Sequence, residues 1–289
     1  MNVKSETYML KELIDKELEK LFLDKTVYNE AIYDAMRYSL LAGGKRIRPI
    51  LLLKSNELVG GNLEEAMPFA LAMEMIHTYS LVHDDLPAMD DDDFRRGKPT
   101  NHKVFGEAIA ILAGDGLINC SYELMNNYIL KEFEKGENIS RYLRAFNEIV
   151  SSAGIEGMIG GQVVDILSEN TGINIETLKH MYKYKTAALI KASVVAGGII
   201  GGGNEEQIIN IGAYGGAVGL AFQIRDDILD IDKDSKNNKT TFLSFYSKKD
   251  AEEELNRLGN IAVNSLDVFN DRDTEFLKEF VYYLMFRNK

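Results

Sequence analysis

A chain of 289 residues, 45% hydrophobic and 27% charged, holds ordinary material for a globular core, but length alone does not say whether one domain or two enclose it. The net charge of −12 argues against a general nucleic-acid binder, which needs a basic face. A single cysteine, Cys120, excludes an internal disulfide and makes a reducing cytoplasm the expected setting, and no apolar run, Ala192 to Gly203 included, approaches the ~20 residues of a bilayer-spanning helix.

At the N-terminus, Leu10, Leu13, Ile14, Leu18, Leu21 and Phe22 fall at helical spacing among Lys4, Glu6, Lys11 and Glu12. That pattern predicts an amphipathic helix rather than a signal peptide. Asn62, followed three residues on by Glu65, predicts a capped helix start, and Phe69, Met73, Ile76 and Ser80 continue the periodicity. Pro49, Pro68, Pro87 and Pro99 are the only prolines, so everything beyond Pro99 is free to form long helices. Leu178, Met181, Tyr182 and Leu189 keep helical spacing, and Asn204 with Gln207 repeats the capping pattern. Strand-like alternation is scarce and nothing reads as a linker. The expectation is an all-α protein with one domain over residues 1–289.

Glycines recur inside the helical stretches: Gly157, Gly160, Gly161, Gly197, Gly198, Gly212, Gly215, Gly216 and Gly219. Each costs about 1 kcal/mol relative to alanine in a helix interior. The ordinary reason is close helix packing; the alternative is room for a bulky ligand.

Two acidic groups stand out. The first is Asp84-Asp85-Leu-Pro-Ala-Met-Asp90, continued by Asp91, Asp92 and Asp93; the second is Asp226-Asp227-Ile-Leu-Asp230. Asp226 and Asp230 are four apart, so both project from one helical face. Pro87 is expected to bend the end of its helix and bring Asp90 back towards Asp84. Hard carboxylate oxygens at such separations suit Mg²⁺, which takes one or two carboxylates and fills its octahedron with water and phosphate oxygens. An acidic run is commonly just a solvated face, and Asp91 to Asp93 read equally well that way. A calcium loop is ruled out by the missing Asp-x-Asp-x-Asp-Gly order. Basic residues cluster nearby in sequence: Lys45, Arg46 and Arg48; Arg95, Arg96 and Lys98; Lys183 and Lys185. Carboxylates next to cations suit a metal that bridges to a polyanion.

The segments Gly43-Gly44-Lys45-Arg46-Ile-Arg48-Pro49, His83-Asp84-Asp85 through Asp93-Phe-Arg95-Arg96-Gly97, and Phe222-Gln223-Ile-Arg-Asp226-Asp227-Ile-Leu-Asp230 resemble the signatures of trans-polyprenyl diphosphate synthases, bacterial farnesyl diphosphate synthases above all. The likeness runs from about residue 30 to 230, with a weaker echo at Arg287-Asn288-Lys289. It implies a bundle of about ten or more helices around a central active-site cavity, a homodimer and a cytoplasmic, Mg²⁺-dependent enzyme with about three ions per loaded site. The implied reaction joins isopentenyl diphosphate to dimethylallyl or geranyl diphosphate. Ionisation, condensation and elimination then release pyrophosphate and farnesyl diphosphate.

The same resemblance assigns roles. Asp84, Asp85, Asp90 and Asp226, with Asp230 through water, would hold the metal on the allylic diphosphate, and Arg95, Lys185 and Lys239 would contact that diphosphate. Gly44, Lys45, Arg48, His77 and Arg96 would bind isopentenyl diphosphate, for which arginine's planar fork is well shaped. Thr186 and Gln223 would face the developing cation. Tyr79 and Ser80 would form the floor that stops the growing chain. Read without the resemblance, His77, Thr186, Gln223 and Tyr79 are ordinary packing residues, and Cys120 is a small core residue. Gly160-Gly161-Gln162-Val-Val-Asp165 would lie near the pocket.

One stretch departs from the pattern. After Asp230 the sequence runs directly through Asp232, Lys233, Asp234 and Lys236 to Lys239, about a dozen residues short and without the Gly-Lys pair of the family's loop. Geranylgeranyl diphosphate synthesis by the same machinery is the nearest rival reading. A terpene cyclase would lack the Gly-Gly-Lys-Arg-x-Arg-Pro segment, and a non-catalytic regulatory subunit would not need both aspartate groups.

Overall fold

Capping side chains mark where several helices begin. In the computed structural model, which describes residues 2–22, 27–168, 172–231 and 240–286, the Asn204 side chain accepts from the Gln207 backbone at 2.9 Å while Gln207 bonds back to the Asn204 amide at 2.9 Å. This reciprocal box opens a 25-residue helix, as the sequence predicts. At Asn62 only half of the expected box forms. The asparagine oxygen takes the Glu64 amide at 2.9 Å, but Glu65 turns away to pair with Arg141 at 2.7 Å.

The helices in chain order are α1 (Val3–Lys20), α2 (Glu30–Leu40), α3 (Ile47–Leu58), α4 (Leu63–Asp84), α5 (Asn101–Phe105), α6 (Glu107–Glu134), α7 (Ser140–Ala153), α8 (Met158–Ser168), α9 (Ile175–Met181), α10 (Ala188–Ile200), α11 (Glu205–Leu229), α12 (Lys248–Asn264) and α13 (Glu275–Met285). A π-helical turn, Tyr182–Ala187, joins α9 to α10. Among the described residues the only strands are the two-residue antiparallel pair β1 (Phe94–Arg95) and β2 (Lys98–Pro99), with Arg95 opposite Lys98. The protein is all-α, as expected.

The chain divides into two compact units. Residues 5–50 and 67–139 form one of them. There α6 packs against α2 and α5, Phe69 meets Tyr128 edge-on at 5.9 Å, and Ile14, Leu18, Leu40, Met73 and Ile76 are buried. Residues 1–4, 51–66 and 140–289 form the other. In it α10 lies between α7 and α11, and α11 also packs on α12. The Tyr214 hydroxyl donates to the Leu277 carbonyl at 2.9 Å and fastens α11 to α13.

Close packing accounts for the key glycines. A methyl group at Gly161 would meet the backbone nitrogen of Lys185 at 2.2 Å, and one at Gly219 would meet Ala187 Cα at 2.6 Å. These two approaches press α8 and α11 onto the π turn. Gly216 is different, because a methyl group there would meet nothing within 4 Å.

Candidate active site

Three glycine and arginine positions with positive φ shape the basic end of the first unit. Gly43 (φ 93°), Gly44 (φ 125°) and Arg46 (φ 50°) turn the chain into α3. Arg46 is the fastener of this turn. It is buried, and it donates to Asp15 at 2.7 Å, Glu74 at 2.5 Å and the Leu40 carbonyl at 2.7 Å. Lys45 is exposed and Arg48 half-buried on either side of it. Arg96, itself at φ 55°, folds over the glycines and donates to the Gly43 carbonyl. Any side chain at residue 44 would strike that guanidinium at 2.6 Å.

His77 lies on α4 beside this cluster. Burial first, then the neighbouring Arg48 and Arg96, hold its pKa well below the usual histidine value. At neutral pH the imidazole is therefore uncharged and offers one donor and one acceptor. The structure thus brings Gly44, Arg96, Arg48 and His77 into one cationic corner.

The first aspartate group begins where α4 ends. Pro87 cannot continue the helix, and the chain reverses: the Asp90 amide donates to the Asp84 carbonyl at 2.9 Å, and Asp91 (φ 48°) donates to Leu86 at 3.2 Å. The expected return of Asp90 to Asp84 is what the backbone does. Asp85 points elsewhere. Its buried carboxylate accepts two Arg95 donors, one at 2.9 Å, and Arg95 also reaches Asp92 at 3.1 Å. Burial raises the Asp85 pKa, and the Arg95 bond works against that rise. Asp93 is exposed and paired with Lys103 at 2.7 Å, an ordinary solvated ion pair.

In the second unit, Asp226 and Asp230 line a cavity of about 120 Å³ with Asp165, Lys185, Thr186 and Gln223. The Asp230 amide donates to the Asp226 carbonyl at 2.9 Å and closes α11. Asp227 borders the same cavity but is more deeply engaged. It is buried and accepts from the Tyr182 hydroxyl, the Phe242 amide at 2.9 Å and Gln223 at 3.2 Å. Thr186 donates to Gln223 at 2.9 Å, and Lys185 is paired with Asp165. Both residues ride on the π turn, whose wider coil re-aims side chains that a regular helix would direct elsewhere.

Both aspartate groups begin in the last turn of a helix, with Asp84 at the end of α4 and Asp226 near the end of α11. A carboxylate there opposes the negative end of the helix dipole and costs roughly 0.3–1 kcal/mol until a cation offsets it. Among the described residues no three candidate ligands are already gathered as a metal cage. One or two carboxylates beside an open cavity is nonetheless the demand of Mg²⁺, which keeps places for water and phosphate.

Residues 29–261 match the polyprenyl synthetase family. The chain belongs to that family. As a polyprenyl synthetase it is 42% identical over 287 residues to the chloroplastic geranylgeranyl pyrophosphate synthase of Capsicum annuum, covering 95% of this chain and 76% of that one. It is 43% identical over 256 residues to the farnesyl diphosphate synthase of Bacillus subtilis (strain 168), covering 85% of each. The solved structure of an FPP/GFPP synthase from Zymomonas mobilis superposes with a TM-score of 0.88 at 32% identity, covering 98% of this chain and 99% of that chain.

For this polyprenyl synthetase, sequence reasoning overlooked three supports. Arg46 anchors its loop through Asp15, Glu74 and the Leu40 carbonyl, Asp165 holds Lys185, and Asp227 ties Tyr182, Phe242 and Gln223 together. None has a sequence signal apart from its neighbours in the motif. Lys239 and the stretch after Asp230 from 232 to 239, like the C-terminal 287–289, lie outside the described residues. No helix among the described residues is long and apolar enough to cross a membrane.

Proposed function

We propose that this polyprenyl synthetase is a short-chain trans-prenyltransferase that condenses isopentenyl diphosphate with dimethylallyl or geranyl diphosphate to give farnesyl diphosphate. The observation that carries the reading is the repeated placement of paired aspartates at helix ends, each with arginine or lysine close by. Asp84 and Asp90 in one unit, and Asp226 and Asp230 in the other, are each suited to hold Mg²⁺ on a diphosphate. When bound, Mg²⁺ neutralises the charge that develops on the departing pyrophosphate.

The chain's own residues divide the remaining work. Arg95 and Lys185 each rest on a carboxylate, Asp85 and Asp165, that keeps the cation aimed before substrate arrives. Asp85 thus supports the site through Arg95, besides its implied place among the metal ligands. Arg96, Arg48, Lys45, the Gly44 amide and neutral His77 receive the diphosphate that carries no metal. The Thr186 proton is committed to Gln223, so the hydroxyl oxygen presents lone pairs to the cavity. Lone pairs suit an allylic cation, because they stabilise positive charge without supplying a proton. Proton loss from the condensed chain falls to the released pyrophosphate, since the cavity's carboxylates are given to Lys185, to the Tyr182 and Phe242 donors and to the metal.

Tyr79, buried one turn and a residue before Asp84, is read as the floor that limits chain growth. Geranylgeranyl diphosphate as product is the second reading, favoured by the Capsicum relative. The enzyme is further read as a cytoplasmic homodimer that uses Mg²⁺ and forms one synthase domain.

The test is to incubate the purified chain with Mg²⁺, isopentenyl diphosphate and allylic primers of different lengths, then resolve the products by chromatography. Farnesyl diphosphate from the two shorter primers is expected. Absence of turnover with every primer would sink the reading and revive a regulatory subunit.

A further inference from the structure

His83 precedes Asp84 directly and has no place among the diphosphate and metal roles above. Its ring is seated on α6. Nε2 lies 3.0 Å from the Ile111 carbonyl, a bond the ring makes when that nitrogen carries the proton. The seat exists only because residue 114 lacks a side chain: a methyl group there would lie 2.0 Å from Nε2 and 2.3 Å from Cδ2. One turn earlier on α4, Tyr79 meets the same imidazole edge-on, with centroids 5.9 Å apart and planes at 79°.

The Tyr79 hydroxyl is buried and makes no hydrogen bond, and burial, then Tyr122, pushes its pKa up to about 12. No polar contact therefore holds this ring at its tip. Its orientation rests on packing, and His83 is a neighbour that is itself held on α6.

We infer that His83, seated on Gly114, is a positioning residue that fixes the Tyr79 ring and thereby sets product length. Gly114 is the second half of the device, because any larger residue evicts the imidazole. This rests on the reading of Tyr79 as the chain-stopping floor. With the Tyr79 ring as the stop, a loosened brace alters the product ratio even where total turnover also falls. Nothing here alters the chemistry of ionisation.

The readout is the ratio of geranylgeranyl to farnesyl diphosphate formed by the full chain from geranyl diphosphate. His83→Ala is expected to raise it by about two- to tenfold, the worth of an edge-to-face ring pair. His83→Phe, which restores a ring edge, is expected to bring the ratio back towards wild type. His83→Gln can still donate to the Ile111 carbonyl, offers no ring, and should lengthen product as alanine does; it keeps the question open to measurement should the alanine variant not fold. Gly114→Ala should also move the ratio away from wild type.

Tyr79→Ala separates the two claims. If it lengthens the product while His83→Ala and His83→Gln leave the ratio at wild type, the role of His83 is overturned and the floor survives. If Tyr79→Ala changes nothing, the floor reading itself falls. The double variant Tyr79→Ala/His83→Ala should lengthen no further than Tyr79→Ala alone, and additive lengthening would show that His83 acts by another route.

Discussion

The Asp90 amide donates to the Asp84 carbonyl at 2.9 Å, so two carboxylates six positions apart in sequence share one end of α4. Pro87 makes this reversal by stopping the helix and restricting the turn that follows. Replacing a turn proline frees the unfolded and metal-free chain by about 0.4–1 kcal/mol. Pro87→Ala is therefore expected to raise the Mg²⁺ concentration for half-maximal turnover by roughly two- to fivefold. A metal titration of initial rates measures this, with circular dichroism as the check on folding. An unchanged metal requirement would mean that the turn is held by contacts other than the proline.

Asp85 and Arg95 make the case for a division of labour inside one motif. If Asp85 works by aiming Arg95, removing either residue destroys the same arrangement. Asp85→Asn and Arg95→Gln should then be strongly non-additive in kcat/KM, with the double variant close to the worse single one. Losses that simply multiply would place Asp85 on the metal by itself. Steady-state kinetics on the four proteins of the cycle decides between them.

How much of this was legible in advance follows from the range of each interaction. The Asn204–Gln207 box and the Pro87 turn close within a few residues, so local sequence suffices to predict them. By local spacing Glu65 is half of a box, but its actual partner, Arg141, is 76 residues away, and no local rule reveals it. Asp226 and Asp227 are neighbours with the same side chain. Both border the same cavity, but one step of about 100° around the helix gives the second to the Tyr182 hydroxyl and the Phe242 amide. Lys45, Arg46 and Arg48 likewise look alike as a basic run, and only the fold shows that Arg46 is consumed by Asp15 and Glu74. The all-α class was legible because proline placement and apolar spacing act along single helices.

His77 gives the protein a defined acid sensitivity. Its folded pKa is held well below the 6.5 of the unfolded side chain, by burial and then by Arg48 and Arg96. Between those two values the unfolded chain binds the extra proton, so stability rises with pH through that window and falls as the solution is acidified below about 6.5. His77→Gln removes the proton uptake. The urea midpoint of the variant should vary less with pH on the acid side than that of the wild type. Parallel curves for the two proteins would show that His77 is not the group responsible.

Adjacent aspartates of the second motif should fail in different ways. Asp226 borders the cavity, and Asp226→Asn is expected to lower kcat by about 10²-fold or more with little loss of stability, as for groups that act on charge developing in the transition state. Asp227, on the same cavity, has its carboxylate taken up as an acceptor for the Tyr182 hydroxyl and the Phe242 amide. Asparagine there turns an N–H towards donors and leaves a buried group unsatisfied, which costs about 1–3 kcal/mol. In a chain of this size that corresponds to a fall in Tm of several degrees, at roughly 2–4 °C per kcal/mol. Thermal unfolding and initial rates on the two variants separate the effects: activity lost at full stability for Asp226→Asn, stability lost first for Asp227→Asn. Equal Tm values for both variants would contradict the structural role given to Asp227, because two of its three bonds join α11 to the π turn and to Phe242.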